Sequence, residues 1–302
     1  LIASSAAFNG TLNGLGHTIA NLTINNPSSE YAGLFGQVGS SGVLENISLT
    51  NANVTADVTN GNSLYIGLLI GGNSGTITNT HVQGSLSVKI NNSSSLYEGG
   101  LIGSNSGNIS SSSADLDLSS SAGSVSQNIS IGGLVGYNTS GDITGSYTSG
   151  TMSGTNSGYI GGLVGYVASS TNITNSYSQS NITSESAQTV GGLVGTFSGQ
   201  SNNEIKNSYA TGNISYSGQT SAGGLVGTLS NGNILNSYST GSIVGTYNMA
   251  MAIGGLVGTS MTGKTVSNSY ATCSIPAAKI DTSFNSTYYP GNFSGLLGYS
   301  GS

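Results

Sequence analysis

The apolar positions of this chain recur in short, evenly spaced bursts, not in long runs. A Gly-Leu-(Val/Ile/Leu/Phe)-Gly tetrapeptide, usually with a further glycine before it, first appears at Gly33-Leu34-Phe35-Gly36 and last at Gly295-Leu296-Leu297-Gly298. Between them stand copies at 100–103, 133–136, 162–165, 192–195, 224–227 and 255–258, with Leu68-Leu69-Ile70-Gly71 as a variant. Successive closing glycines lie 29 to 40 residues apart. A second block, Ile-x-Asn-Ser-Tyr followed by a small residue and another Ile, trails every anchor but the last. It is clean from Ile173, Ile205, Ile234 and Val266; the copy at Ile143 has Gly145 for Asn and keeps Tyr147, and the earlier copies are worn.

The elements this pattern predicts are strands. Helix-forming runs of Ala, Leu, Glu and Lys are missing, and β-branched stretches alternate with Gly, Asn and Ser clusters. The period of two in Ile173, Asn175 and Tyr177 places these three on one strand face. Ile182 follows beyond a turn near Ser180, and the variable stretch before each Gly-Gly is read as a third strand or a loop. A unit of ~30 residues cannot bury a core alone, whereas stacked units share a continuous one. The expectation is therefore all-β: a parallel β-helix, or β-solenoid, of about nine coils of roughly 30 residues each. One solenoid domain is expected over 1–302, with an opening coil at 1–31, repeats at 32–275, and an irregular insertion with a final partial repeat at 276–302.

Stacking puts equivalent residues about 4.8 Å apart in ladders. Leu34, Leu69, Leu101, Leu134, Leu163, Leu193, Leu225, Leu256 and Leu296 are expected to form an inward stack. The apolar residue after each leucine either faces outward as an exposed stripe or is turned inward by a bend. The flanking glycines are expected to leave room for bulkier side chains and to permit positive φ at a corner. Asn175, Asn207, Asn236 and Asn268 are expected to stack as an amide ladder that satisfies buried donors and acceptors. Tyr147, Tyr177, Tyr209, Tyr238 and Tyr270 form a second column, read either as a ring stack sealing the solenoid or as an aromatic platform for carbohydrate; His81 takes the same slot in an earlier repeat.

Charge narrows the chemistry. Of 302 residues, 49 are Gly and only 5% are charged, and the net charge is −6. The four basic residues, Lys89, Lys206, Lys264 and Lys279, offer no cationic surface, so neither nucleic acid nor an anionic membrane is an expected partner. No apolar run approaches the ~18 residues of a spanning helix, so membrane insertion is not expected. The lone Cys273 cannot form an internal disulfide. His17 and His81 lie in different repeats, which leaves no zinc-like cluster, and no enzyme activity is expected. Asp115 and Asp117 share one side of a strand and form a weak candidate Ca²⁺ pair; no other cofactor is expected. A row of Thr211, Thr240 and Thr272 suggests ice binding, but without the flat paired Thr-x-Thr array such a surface needs.

The Gly-Gly-Leu-Val-Gly…Ile-x-Asn-Ser-Tyr pattern at 132–152, 161–182, 191–214, 223–243 and 254–275 resembles the GLUG motif of bacterial and archaeal surface proteins. The stretch from Phe8 through Ile19 to Ile24 is similar to the opening coil of those proteins. The resemblance implies an extracellular, cell-surface β-helix of adhesin type; it implies no particular ligand and transfers no catalytic residue. Sequons at Asn9, Asn21, Asn53, Asn138, Asn172, Asn181, Asn213, Asn285 and Asn292 suit a secreted glycoprotein. The chain begins without Met, and its last anchor lacks the following block. That predicts either more chain outside this sequence or subunits stacked end to end. The leading expectation is a structural subunit of a filament, stalk or sheath whose partner is itself, head to tail or laterally. The alternative is an adhesin segment that binds glycans or other cell-surface proteins through side loops at Ser93–Tyr97 and Pro276–Pro290.

Overall fold

Each coil runs through four short strands, as the stretch from Ile129 to Thr155 shows. Its strands are Ile129–Gly132, Val135–Asn138, Ile143–Thr144 and Tyr147–Thr155. Equivalent strands of successive coils pair in parallel and in register, so that Val135 lies over Val164 and Tyr147 over Tyr177. The four resulting sheets are named here pre-anchor, anchor, isoleucine and tyrosine, in chain order. A computed structural model of the chain describes residues 2, 6–25, 27, 29–58, 63–90, 95–123, 129–218, 220–245, 252–261, 263–275, 292–294 and 296–300. Among these it contains strands and turns and no helix.

The fold is thus an all-β parallel β-solenoid, with a slightly different coil count from the expected nine. The pre-anchor, anchor and isoleucine sheets each hold nine strands. The tyrosine sheet holds thirteen, because its first strand and three later ones break in two, as at Thr18–Ala20 with Thr23–Asn25 and at Tyr177–Ser178 with Asn181–Glu185. About seven turns, between Tyr31 and Gly245, close on all four sides with both halves of the tyrosine strand. Counting anchors counts rungs, and the first and last rungs are not closed turns. The stretch before each Gly-Gly is a strand and supplies the pre-anchor sheet.

The leucine column from Leu69 through Leu101, Leu134, Leu163, Leu193 and Leu225 to Leu256 is fully buried. Leu34 is partly buried against the core, and Leu296, at the end of the column, is exposed. Each buried leucine contributes roughly 1.5–3 kcal/mol. Phe35, Ile70, Ile102, Val135, Val164, Val194, Val226 and Val257 are buried as well, so the bend reading holds and no apolar stripe faces water. The chain bends at Gly133–Leu134 and its equivalents, which resets the alternation of the strand. The bend is itself a ladder: Leu134 N and Val135 N both donate to Leu163 O, at 2.9 and 3.0 Å.

The anchor glycines meet half of the expectation: a methyl group on Gly100 would collide with Leu116 Cδ2, so glycine there leaves room for a side chain of the tyrosine sheet. None of Gly132, Gly133 and Gly136 has positive φ. They are needed for close approach instead, because the anchor strand lies against the pre-anchor strand of the coil before it. A methyl group on Gly136 would stand 2.5 Å from Glu98 N and 2.7 Å from Gly103 O. Both neighbours are backbone in a paired sheet, so neither can yield.

Gly136→Ala is expected to lower stability by about 2–3 kcal/mol, as overpacking against backbone does. Gly145→Ala, at φ 59° with no heavy atom nearer than 3.9 Å, is expected to lose about 1 kcal/mol from backbone strain alone. Urea denaturation of the two variants measures the difference; equal losses would show that close approach is not the reason for glycine at 136.

Candidate functional site

The turn between the isoleucine and tyrosine sheets decides what the repeated Asn-Ser-Tyr block can do. Asn46, Asn79, Ser111, Gly145, Asn175, Asn207, Asn236 and Asn268 all hold the left-handed conformation there, with φ between 47° and 59°. Asn adopts this region at low strain. The left-handed residue ends the extended run, so Ile173, Asn175 and Tyr177 do not share a strand face. Ile173 and Ser176 point inward and are fully buried, Asn175 is exposed, and Tyr177 faces outward.

The amide ladder exists, but on the outside. Asn207 Nδ2 donates to Asn175 Oδ1 at 3.2 Å and Asn236 Nδ2 to Asn207 Oδ1 at 3.1 Å, and all three residues are exposed. Asn268 holds the same corner, at φ 48°. Buried polar groups are satisfied by two other columns that the sequence reading missed. In one, the backbone N–H groups of Ser146, Ser176 and Ser208 donate to the hydroxyls of Ser176, Ser208 and Ser237 one coil on, at 3.1–3.2 Å. Each of those hydroxyls donates in turn to a carbonyl of its own coil, as Ser176 Oγ does to Thr174 O at 2.8 Å. In the other, Asn73, Asn105 and Asn138 are linked amide to amide at 2.7 and 2.6 Å, and Asn138 donates to Thr171 Oγ1 at 2.7 Å. The signal was available in the asparagine two residues after each closing glycine at 71, 103 and 136.

Tyr147, Tyr177, Tyr209, Tyr238 and Tyr270 form one stack, with centroids 4.7–5.2 Å apart and planes within 5° of parallel. Their rings lie outside the tyrosine sheet, so the buried serines beneath them close the corner, not the rings. Tyr177, Tyr209 and Tyr238 have both ring faces covered by neighbouring rings, while the end rings Tyr147 and Tyr270 each have one face so covered. A sugar needs an open ring face, so the column does not make a carbohydrate platform along its length. Burial first, and then the neighbouring phenols, push Tyr177 and Tyr209 above the usual phenol range. His81 does occupy this column, paired in register with Ser113, and its Nδ1 lies 2.6 Å from Ser113 Oγ. A second tyrosine column passes from the pre-anchor to the anchor sheet: Tyr31, Tyr65, Tyr97, Tyr137 and Tyr166, with centroids 4.7–5.4 Å apart. In the next coil, Thr189 and Thr196 replace the facing Tyr159 and Tyr166 and meet at 3.0 Å.

Asp115 and Asp117 lie on the same outer side, as their spacing requires. Asp115 accepts from Ser149 Oγ at 2.9 Å and Asp117 from Thr151 Oγ1 at 2.6 Å, so both carboxylates serve as ladder acceptors. Among the described residues no group of three His, Cys, Asp or Glu side chains could hold a metal ion. Cys273 Sγ donates to Gly255 O at 3.2 Å, and burial raises its thiol above the usual range. His17 is exposed and far along the chain from His81.

The sequons divide by access. Asn138 is fully buried and its amide is engaged on both sides, so the folded chain offers no acceptor there. Asn172 Nδ2 donates to Asp142 Oδ1 at 3.2 Å while its Oδ1 accepts from Glu204 N. Asn9, Asn21, Asn53, Asn181 and Asn213 are exposed. At Asn53, Asn181 and Asn213 the side-chain oxygen accepts from the next coil. Asn285 lies outside the described residues, and Asn292 pairs through its backbone with Ala252. Of the loop candidates, residues 93–94 of Ser93–Tyr97 and all of 276–290 lie outside the described residues, and Leu96 and Tyr97 belong to the pre-anchor strand Leu96–Gly99 and not to a loop.

Sequence reasoning also missed Glu98, which stands at an inward position of the pre-anchor sheet between Ile66 and Ile131 and is fully buried. Aligning Leu96-Tyr97-Glu98-Gly99-Gly100 with Ile129-Ser130-Ile131-Gly132-Gly133 would have exposed it.

Asn105→Ala is expected to lower stability by about 1–3 kcal/mol, because it leaves buried partners unpaired. Thr183→Ala, on the exposed face, is expected to change stability by less than about 0.5 kcal/mol. Denaturant titration distinguishes these outcomes. Glycopeptide mapping of native material is expected to find Asn138 unmodified.

The model of the GLUG motif matches residues 127–153 and 218–244, so the chain carries GLUG repeats. Over 85 residues the chain is 40% identical to Halomucin of Haloquadratum walsbyi, a match that covers 28% of this chain and 1% of that protein. Over 76 residues it is 38% identical to the "Putative Gly-rich membrane protein" of Evansella cellulosilytica, which covers 25% of this chain and 8% of that protein. The chain thus spans a small fraction of the length of these relatives.

Proposed function

We propose that this chain, a β-solenoid built of GLUG repeats, is a structural element of a cell-surface or extracellular protein: a stalk, sheath or filament segment whose work is to hold an extended shape. The observation that carries this reading is the commitment of its polar side chains. The exposed Asn175, Asn207 and Asn236, the buried Ser176, Ser208 and Ser237, the buried amides of Asn73, Asn105 and Asn138, and Asp115 and Asp117 are each bonded to a neighbouring coil. Ligand chemistry needs polar groups that converge on a space; here they run along the axis, each coil completing its neighbour. The names of the matched relatives, a halomucin and a Gly-rich membrane protein, support a surface setting. Low charge supports it too: the described ion pair, Lys206 with Glu204 at 3.9 Å, is exposed and adds little.

Function in this reading is non-catalytic and its partners are further copies or other surface molecules. Glycans, where present, attach at exposed sequons such as Asn53, Asn181 and Asn213 on the tyrosine sheet. Electron microscopy of native cells and of shed material tests the proposal. Elongated rods or fibres at the surface are the expected image; dispersed, non-associating particles would sink the filament form, and specific hits on a glycan array would favour adhesion.

A shape-holding segment is also modular. Deleting one full period, residues 165–194, joins equivalent positions and is expected to leave a folded solenoid shortened by about 4.8 Å. Deleting half a period, residues 165–179, is expected to abolish cooperative folding, because every later ladder is thrown out of register. Circular dichroism and thermal melting read both outcomes.

A further inference from the structure

The inward column of the pre-anchor sheet reads Ile66, Glu98, Ile131, Ile160, Val190, Ala222 and Ile253. Glu98 is as buried as the isoleucines above and below it, and no hydrogen bond is made to either carboxyl oxygen. Its strand is fixed by in-register pairing on both sides, from Leu96 to Gly99. The Gly136 backbone closes against its amide nitrogen, so the strand cannot slide to carry the carboxyl to water. A bare carboxylate in such a place is far more costly than the neutral acid. Ser120, on the tyrosine sheet, faces the carboxyl and opposes the effect of burial without closing a bond of good geometry. Asp115 and Asp117, on the same strand as Ser120, face outward, as does Lys89 one coil away. The other side chains packed against this strand in register are uncharged: Leu64, Tyr65 and Ile66 on one side, Ile129, Ser130 and Ile131 on the other.

We propose that Glu98 is carried in the core as the neutral carboxylic acid and makes this solenoid an acid-strengthened structure: it tightens as pH falls below neutrality and loosens at the rung of residues 96–99 as pH rises. In an unfolded chain a glutamate releases its proton near pH ~4.3. Burial holds the proton on folded Glu98 to well above that value. The folded state therefore binds one more proton than the unfolded state across the interval between them. The stabilising contribution is complete below the unfolded value and is lost as pH rises toward and through the folded one. Within that interval each pH unit weakens folding by up to about tenfold.

Urea denaturation of the full chain at pH 5 and pH 7, with and without Glu98→Gln, tests this. The wild-type folding constant is expected to fall at least about tenfold from pH 5 to pH 7, and Glu98→Gln is expected to remove that fall. Parallel pH profiles in the two proteins would overturn the proposal. Should Glu98→Gln fail to fold, Glu98→Ile, which continues the column, supplies the same comparison. Infrared spectra of the folded wild type at pH 7 read the protonation state directly: a carboxylic-acid C=O band is expected, and its absence would refute a neutral Glu98.

Discussion

In-register parallel pairing of each strand with its own equivalent one coil away is the constraint on which this molecule rests. It sets the vertical spacing of every side chain at the interstrand distance of about 4.8 Å. Once that spacing holds, each residue meets a copy of itself or a near substitute. Leucines meet leucines and bury continuously; phenols meet phenols at 4.7–5.2 Å and stack nearly parallel. Amides meet amides, and because an amide both donates and accepts, a column of them satisfies itself without any partner from elsewhere. The repeat in the sequence follows directly from this geometry.

A second constraint acts across the coil. The pre-anchor and anchor strands approach so closely that Gly136 has backbone where a side chain would go. The bend at Gly133–Leu134 then turns two successive apolar residues inward. Without it one of them would form a stripe on the surface. The glycines so common in this chain are therefore largely a packing requirement at the anchors. At the corner before each tyrosine the requirement is conformational instead, and Asn meets it as well as Gly does.

These two constraints also set how the described polar and aromatic groups are used. Ladder bonds use the polar groups that a binding site would need to leave free, and the rings that could have met a sugar cover one another. Most departures from the ladder rule are mild, such as Gly145 for Asn or Thr189 for Tyr. Glu98 is the strong one: an ionisable group placed where its neighbours in the column are aliphatic. It marks the coil of residues 96–122 as different from those stacked on it.

Periodicity alone determined a good deal. The anchors from Leu34 to Leu296 and the tyrosine blocks required stacked coils, and composition forbade helices; the inward leucines and the tyrosine column could be named from spacing. What the sequence could not settle was direction and closure. Whether Val135 points in or out depends on a bend at Gly133–Leu134. Whether Asn175 is buried or exposed depends on a left-handed φ, and whether Asn138 is an acceptor or a core amide depends on which sheet lies behind it. The number of closed turns, about seven, likewise depends on which strands meet across all four sides. A repeat records which residues are equivalent, since equivalents sit one interstrand distance apart; which way each one faces is set by contacts between strands far apart in the chain, and only the folded coil brings those together.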